Sequence, residues 1–362
     1  MSGWVRTRPS SLIIETIKNS HPLDCAADII DVPHIHNISD KKSVAASHSM
    51  TKRSDCKDSV SLVEITPLNK LYPDLTQLNS NPIIDSCTHV LPESFAADHE
   101  RLSRADSTFR TLFADPKAKF ARYDDLITSM DESGVDVSVC AGFGWTDPEV
   151  ARASNDYNIE AARSHPDRLV SFCSVNPLWG EDAVEEVKRC HAAGAKGIGE
   201  LHPDTQGILD ADLAALAPVF DTAKDLKMPI LMHASEPVGH GYPGKGSVTP
   251  ELLMALVIAF PNNKFIFSHF GGGLPFYALM PEVRSALKNV YFDSAAFPFL
   301  YRPEVFDVVA RSAGADKILF ASDYPLVSQK RALDEFSKSG LPIDQVQKVQ
   351  GVNSAKLLRM RI

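Results

Sequence analysis

Eight short runs rich in β-branched and aromatic residues alternate with amphipathic, helix-like segments from residue 82 to the end of the chain. Strands that alternate with helices pair in parallel through right-handed crossovers. Eight such units in about 280 residues are typical of a closed (β/α)8 TIM barrel, whereas an open doubly wound sheet usually has about five or six strands. The predicted strands cover residues 83–87, 135–140, 169–175, 195–200, 229–233, 264–269, 289–294 and 317–323.

Predicted helices lie between most of these strands, for example at 147–164, 183–193, 211–226 and 303–313. The first crossover is longer than the others, and residues 91–121 form a predicted insertion above the barrel mouth. An excursion of this kind can act as a lid or as the contact surface of a homodimer.

Residues 1–81 show no sustained helical or strand period, and polar residues dominate 37–61. This composition predicts an extension that is largely disordered or loosely docked. The sequence therefore predicts two regions: an extension at 1–81 and a barrel at 82–362.

The charge distribution argues against nucleic-acid binding. Net charge is −9; residues 1–81 hold nine basic and nine acidic residues, whereas 82–362 hold 28 and 37. An acidic domain without basic clusters does not suit phosphate neutralisation. No apolar run approaches the ~18 residues of a membrane span, and the start of the chain lacks a secretory signal. Six scattered cysteines favour free thiols, so we expect a cytoplasmic protein.

Polar residues that can bind metals finish five of the eight predicted strands. On the first strand, Asp85, Cys87 and His89 alternate and so leave the same face. Carboxyl ends of barrel strands meet at one rim, where active sites of such barrels are built. The candidates at this rim are Cys87 and His89 after strand one, Glu200 and His202 after strand four, His233 after strand five, His269 after strand six and Asp323 after strand eight.

These residue types suit a divalent metal ion. Neutral imidazoles and a carboxylate hold such an ion with one position open, and the ion lowers the pKa of bound water to about 7. A histidine or aspartate beside the ion can then transfer the proton.

Four motifs in this order resemble those of the amidohydrolase-related metal-dependent hydrolases, which include aminocarboxymuconate-semialdehyde decarboxylase. The motifs are Ile84-Asp85-x-x-x-His89, Pro229-Ile-Leu-Met-His233, Phe267-Ser-His269-Phe-Gly-Gly-Gly-Leu-Pro275 and Leu319-Phe-Ala-Ser-Asp323-Tyr-Pro325. The resemblance implies a TIM barrel with His89 and His233 as metal ligands. It also implies that Asp323 is a ligand or proton acceptor, and that His269 is the acid or base that orients water or substrate.

The first strand departs from the family pattern, because Cys87 stands where the family has the first histidine of His-x-His. A thiolate binds zinc well, so the expected metal is Zn²⁺ if Cys87 is a ligand. Cys87 is otherwise a vacated ligand position. Glu200 offers compensation as a further ligand, or instead orients a ligand histidine.

Candidate substrate-binding residues follow strands five and seven. The glycine-rich loop at 234–246 carries His240, Tyr242 and Lys245, and Lys245 is a candidate counter-ion for a substrate carboxylate. Arg302, after aromatic residues at 297–301, is a second candidate for an anion. We therefore expect a small-molecule substrate, with carboxylate-bearing compounds among the candidates.

Three functions are compatible with these residues. The leading hypothesis is a metal-dependent hydrolase that attacks an amide, ester or lactone with metal-activated water, with His269 and Asp323 handling the proton. The alternative is a non-oxidative decarboxylase of an aromatic or muconate-like acid that uses the same metal site. The third is a catalytically silent barrel that has lost its metal through Cys87.

Overall fold

Eight parallel strands run in chain order around a barrel in the part of the chain that the structure describes. The structure is a computed structural model, and it describes residues 81–361 apart from Pro116 and Pro243. The predicted (β/α)8 barrel is confirmed. The strands are β1 Ile84–Thr88, β2 Val137–Cys140, β3 Leu169–Cys173, β4 Gly197–Leu201, β5 Ile230–Met232, β6 Phe265–Phe267, β7 Val290–Asp293 and β8 Ile318–Leu319.

The barrel closes between β8 and β1. The Ser86 N–H donates to the Phe320 carbonyl at 2.9 Å, and Thr88 forms a parallel bridge with Tyr324. The buried Asp85 carboxylate reinforces this seam, because it accepts hydrogen bonds from Ser322 N–H at 2.9 Å, from Ser322 Oγ, and from the amide of Gln329 at 2.9 Å.

Helices follow most of the strands and cover the outside of the barrel. Helix α5 shows why they begin where they do: the Asp147 carboxylate accepts hydrogen bonds from the N–H groups of Glu149 and Val150, and Pro148 occupies the first turn. The α-helices are α1 Glu93–Ala97, α2 His99–Ala105, α3 Ser107–Leu112, α4 Tyr123–Ser133, α5 Pro148–Ser164, α6 Glu181–Ala192, α7 Ala217–Asp225, α8 Pro250–Ala259, α9 Pro281–Ala286, α10 Phe297–Leu300, α11 Val305–Val309, α12 Gln329–Phe336, α13 Ile343–Gln347 and α14 Asn353–Leu358.

Two predicted helices are divided in the structure. The segment 211–226 is a 3₁₀ turn, Leu213–Leu216, followed by α7, because Pro218 lacks the N–H that a continuous helix needs there. The segment 303–313 is α11 followed by the π-helical turn Ala310–Gly314.

The apolar core has two layers, one inside the barrel and one between the strands and the helices. The inner layer includes Val139, Phe172, Leu231 and Ile266 from four strands. Gly197 on β4 leaves room for the Phe172 ring, since a Cβ at this position would lie 2.5 Å from it. The filled interior supports a site at the carboxyl ends of the strands.

The stretch predicted as an insertion, 91–121, contains the short helices α1 to α3. Phe95, Leu102, Phe109 and Phe113 pack in an apolar cluster with Trp145, which follows β2. The predicted extension lies outside the described residues apart from Asn81, and a homodimer contact by the insertion stays a prediction. Within the described range, none of the helices combines the length and hydrophobicity needed to cross a membrane.

Candidate metal centre and cavity

Five side chains from the ends of five strands meet at the carboxyl end of the barrel; four of them are at least nine-tenths buried, and the fifth, Asp323, is 14% exposed. His89 Nε2 lies 3.5 Å from Glu200 Oε2 and 3.2 Å from Asp323 Oδ1. His233 Nδ1 lies 3.2 Å from Glu200 Oε1 and 3.3 Å from His269 Nε2. The residues that sequence reasoning assigned to the rim therefore form one cluster, with Glu200 at its centre.

Unusual backbone conformations place two members of this cluster. His269 has φ 56° and Asp323 has φ 66°, both in the left-handed region that non-glycine residues rarely adopt. The His269 N–H donates to the buried Asp293 carboxylate at 3.2 Å, and the Asp323 N–H donates to the Cys87 carbonyl at 3.1 Å. These bonds hold each side chain over the barrel mouth.

Backbone carbonyls orient two of the histidines. Nδ1 of His89 lies 3.2 Å from the Ala141 carbonyl, and Nδ1 of His269 lies 2.8 Å from the Ala295 carbonyl. A carbonyl only accepts hydrogen bonds, so Nδ1 carries the proton in both rings and Nε2 presents a lone pair. Both Nε2 atoms face the cluster, where a lone pair can bind a metal ion or take up a proton.

The charges of the cluster fit a cation. Burial favours a raised pKa for Glu200, but the neighbouring imidazoles of His202 and His233 lower that pKa well below its usual value. Among the described residues, every ion contact that Glu200 and Asp323 make is with a histidine. Ligand atoms roughly 3.4 Å apart are what a tetrahedral ion with bonds of ~2.1 Å needs. The side chains present therefore fit a divalent metal ion.

Cys87 lies beside this cluster, with Sγ 3.5 Å from His89 Nε2. Burial and the charges of Glu200 and Asp293 raise the pKa of the Cys87 thiol well above its ordinary value. A thiolate at this position therefore needs a metal to stabilise it. The expected Zn²⁺–thiolate bond stays a prediction.

A cavity of about 540 Å³ opens above the cluster, so His89, Glu200, His233, His269 and Asp323 form its floor. Its walls are largely apolar and include side chains from the stretch 91–121. The wall residues include Leu91, Leu112, Phe113, Phe143, Phe299, Leu300 and Leu326. An aromatic ring whose polar substituents point at the floor suits such a shape.

The structure separates the candidate substrate-binding residues. His240 and Tyr242 line the cavity, and the Tyr242 hydroxyl donates to Glu236 at 3.0 Å. Lys245 is absent from the lining, because its ammonium donates to the carbonyls of Val238 and His240 within its own loop. Arg302 is also absent; its side chain is 85% exposed and pairs with Glu304.

Sequence reasoning did not assign roles to three other residues of the cavity. Lys117 and Lys119 lie in its wall, and no local pattern in 91–121 indicates which side of this stretch faces the barrel. His202 also lines the cavity. The sequence placed His202 at the rim after strand four without giving it a role, because Glu200-Leu-His202 repeats the alternation of Cys87-Thr-His89 at the end of a strand.

Residues 84–360 match the sequence profile of the amidohydrolase family. The chain belongs to the amidohydrolase family. This membership confirms the resemblance that the four motifs indicated, and the match covers the whole barrel.

Relatives of this amidohydrolase-family chain include decarboxylases. It is 25% identical over 252 residues to gamma-resorcylate decarboxylase from Rhizobium sp. (strain MTP-10005), covering 59% of this chain and 76% of the relative. It is 22% identical over 297 residues to 2-amino-3-carboxymuconate-6-semialdehyde decarboxylase from Dictyostelium discoideum, covering 67% of this chain and 81% of the relative. These relatives favour the decarboxylase alternative over the leading hydrolase hypothesis.

A solved structure shares the fold. Dihydroxybenzoic acid decarboxylase from Polaromonas sp. JS666, with bound manganese and the inhibitor 2-nitroresorcinol, has a TM-score of 0.60 and 20% identity. The match covers 77% of this chain and 97% of that chain. That protein holds manganese, so the comparison supports a divalent metal in this fold and does not support zinc in particular.

Proposed function

We propose that this amidohydrolase-family chain is a non-oxidative decarboxylase of a hydroxylated aromatic acid and that it uses a divalent metal ion. The observation that carries the proposal is the position of the buried cluster, which forms the polar floor of a cavity with apolar and aromatic walls. Such walls suit the planar ring of an aromatic acid. The decarboxylase relatives support the same reaction class.

The proposed ligands are His89, Glu200, His233 and Asp323, because each lies 3.2–3.5 Å from another member of the set and their donor types are those of a metal site. When bound, the ion acts as a Lewis acid that draws electron density from the oxygens of an acidic substrate. Nitrogen and oxygen donors suit manganese as well as zinc. We therefore propose a divalent ion and leave its identity to elemental analysis.

Decarboxylation of an aromatic acid requires a proton at the carbon that carries the carboxylate. That carbon takes the proton, its bond to the carboxylate breaks, and the bonding electrons restore the aromatic ring as carbon dioxide leaves. His269 Nε2 lies at the cavity floor, and the Asp323 side chain is 14% exposed there. We assign proton transfer to these two residues.

The lysines of the wall suit an anionic substrate. Lys117 and Lys119 are exposed at the cavity, where a positive charge attracts a carboxylate from solution. They take the role that sequence reasoning gave to Lys245 and Arg302. Because they are exposed, we expect them to affect substrate capture more than the chemical step.

Release of carbon dioxide tests the proposal. Purified protein should release carbon dioxide from 2,6-dihydroxybenzoate or another hydroxybenzoate, and it should leave a panel of esters, amides and lactones unchanged. Hydrolysis of any of these without carbon dioxide release from any acid would overturn the proposal and restore the hydrolase hypothesis.

Metal content separates the proposal from the silent-barrel hypothesis. Elemental analysis should find about one divalent ion per chain, and His233→Ala should lose both the ion and the carbon dioxide release. Protein that holds no ion after gentle purification, even when manganese and zinc are supplied, would contradict the proposal.

A further inference from the structure

His202 is a histidine of the cavity that the metal cluster does not use. Two groups of side chains have ligand atoms within 4.8 Å of one another: Cys87, His89 and Glu200 form one, and Glu200, His233 and His269 form the other. His202 belongs to neither group, although it lines the same cavity. Its imidazole is therefore available for another purpose.

One nitrogen of the His202 ring, Nε2, lacks a hydrogen-bond partner among the residues that the structure describes. The residue is 7% exposed, and its Nε2 is buried without a hydrogen bond among the described residues. Glu200 Oε2 lies 3.5 Å from Nε2 and does not meet hydrogen-bond geometry. A buried polar nitrogen that lacks a partner destabilises the fold unless a ligand satisfies it.

The ring is held in place on both sides. It stacks on His233, with ring centroids 4.9 Å apart and planes inclined by 10°, and Phe143 meets it edge-on at 5.8 Å. The backbone N–H of His202 donates to Gln206 Oε1 at 2.9 Å, and the Gln206 side-chain amide in turn donates to the Val175 carbonyl at 2.9 Å. The imidazole is thus preorganised at the cavity wall.

The geometry points to His202 as a specificity-determining residue that binds a ring hydroxyl of the substrate. This inference rests on the proposed function, because it concerns the aromatic acid of that reaction. An imidazole both donates and accepts hydrogen bonds, so it pairs with a hydroxyl or with its phenolate. A site built to bond a hydroxyl rejects the analogue that lacks it, since the buried nitrogen then stays unpaired.

The test compares His202→Leu, which removes the hydrogen-bonding group, with His202→Gln, which keeps a donor and an acceptor. His191→Leu is the matched control, because His191 is exposed on the outer helix α6. The manganese-supplemented proteins are titrated calorimetrically with 2,6-dihydroxybenzoate, 2-hydroxybenzoate and benzoate. Carbon dioxide release and metal content are measured on the same preparations.

His202→Leu should lower the preference for 2,6-dihydroxybenzoate over benzoate at least tenfold, with metal content unchanged. His202→Gln should recover part of the preference, and His191→Leu should match the wild type. If His202→Leu weakens all three acids by the same factor, His202 only supports the wall and the inference fails. Loss of more than half of the metal would make His202 a ligand and would also overturn it.

The two proposals fail in different ways. A hydroxyl preference that depends on His202, without carbon dioxide release from any acid, supports the role of His202 and overturns the decarboxylase. Carbon dioxide release with a hydroxyl preference that His202→Leu leaves unchanged supports the decarboxylase and overturns the role of His202. Absence of both binding and turnover for all three acids overturns both.

Discussion

Replacement of Glu200 by glutamine is expected to cost more stability with bound metal than without it. Glu200 Oε2 and Asp323 Oδ1 lie 3.5 Å and 3.2 Å from the same nitrogen of His89. The two oxygens are therefore at most about 7 Å apart, and their repulsion at an effective dielectric constant of ~20 is about 2 kcal/mol. Glutamine removes this repulsion and keeps an oxygen that can accept a hydrogen bond.

After chelation at pH 8.5, Glu200→Gln should change the free energy of unfolding by no more than about 1 kcal/mol, because the repulsion that it removes offsets the contacts with His202 and His233 that lower the pKa of Glu200. With metal in excess the loss of stability is larger, because the variant lacks one ligand. Each tenfold loss of metal affinity lowers the stability of the loaded protein by about 1.4 kcal/mol. We expect a loss of about 1.4–2.7 kcal/mol, which corresponds to a tenfold to hundredfold weaker site.

Urea unfolding followed by circular dichroism, with excess chelator and with excess manganese, measures both effects. Glu186→Gln is the matched control. The Glu186 carboxylate is also largely buried, but both its oxygens lie 2.7 Å from the Arg189 guanidinium. Because this pair is independent of the metal, the control should lose stability by the same amount under the two conditions, about 1–3 kcal/mol.

The reasoning is refuted if Glu200→Gln loses the same stability with chelator as with manganese. Such a result would show that Glu200 is a structural acceptor for His202 and His233 rather than a ligand. A variant with unchanged stability in manganese would likewise exclude Glu200 from the ligand set.

Three further perturbations follow from the structure. Gly144→Ala would place a Cβ 2.4 Å from the backbone nitrogen of His202. The variant should lose about 1–3 kcal/mol in the free energy of unfolding by urea and should bind 2,6-dihydroxybenzoate more weakly. Wild-type values for both quantities would contradict this expectation. Burial raises the pKa of Asp85 from 3.8 to about 6. The protonated Asp85 carboxyl therefore contributes its full stability to the fold below pH 3.8, and this contribution is lost as the pH rises through 6. The free energy of unfolding of the wild type relative to Asp85→Asn should then fall by on the order of 3 kcal/mol between pH 4 and 7, and a difference independent of pH would count against a raised pKa. Lys119→Met should raise KM for hydroxybenzoates about threefold at low salt and leave kcat unchanged. Lys330→Met is the control, because the Lys330 side chain is also exposed. Equal KM values for the two variants would exclude electrostatic attraction of the substrate by Lys119.

The fold was predictable because alternating strands and helices leave a periodic pattern in the sequence. All eight strands overlap their predicted ranges, but β8 is only Ile318–Leu319, whereas the prediction ran from 317 to 323. The chain bends after β8, and Asp323 adopts a left-handed conformation that no apolar pattern encodes. The strand count could be predicted, whereas the bend that places a candidate ligand could not.

The floor of the cavity was also predictable, because its residues directly follow predicted strands and the carboxyl ends of barrel strands meet at one rim. The walls were not. Lys245 was a reasonable anion partner by composition, but the carbonyls of its own loop bind its ammonium. Lys119 comes from the stretch between β1 and β2, whose position on the barrel depends on the packing of Phe109 and Trp145 rather than on any local period.

The seam between β1 and β8 also sets an order in time. Asp85 and Ser322, which hydrogen-bond across it, are 237 residues apart in the chain. A ribosome that adds about 5–20 residues per second needs about 10–50 seconds to travel from one to the other. Throughout that interval His89 has been synthesised and Asp323 has not, so the nascent chain contains only part of the proposed ligand set. The complete set of proposed ligands is therefore available only after the last strand has emerged from the ribosome.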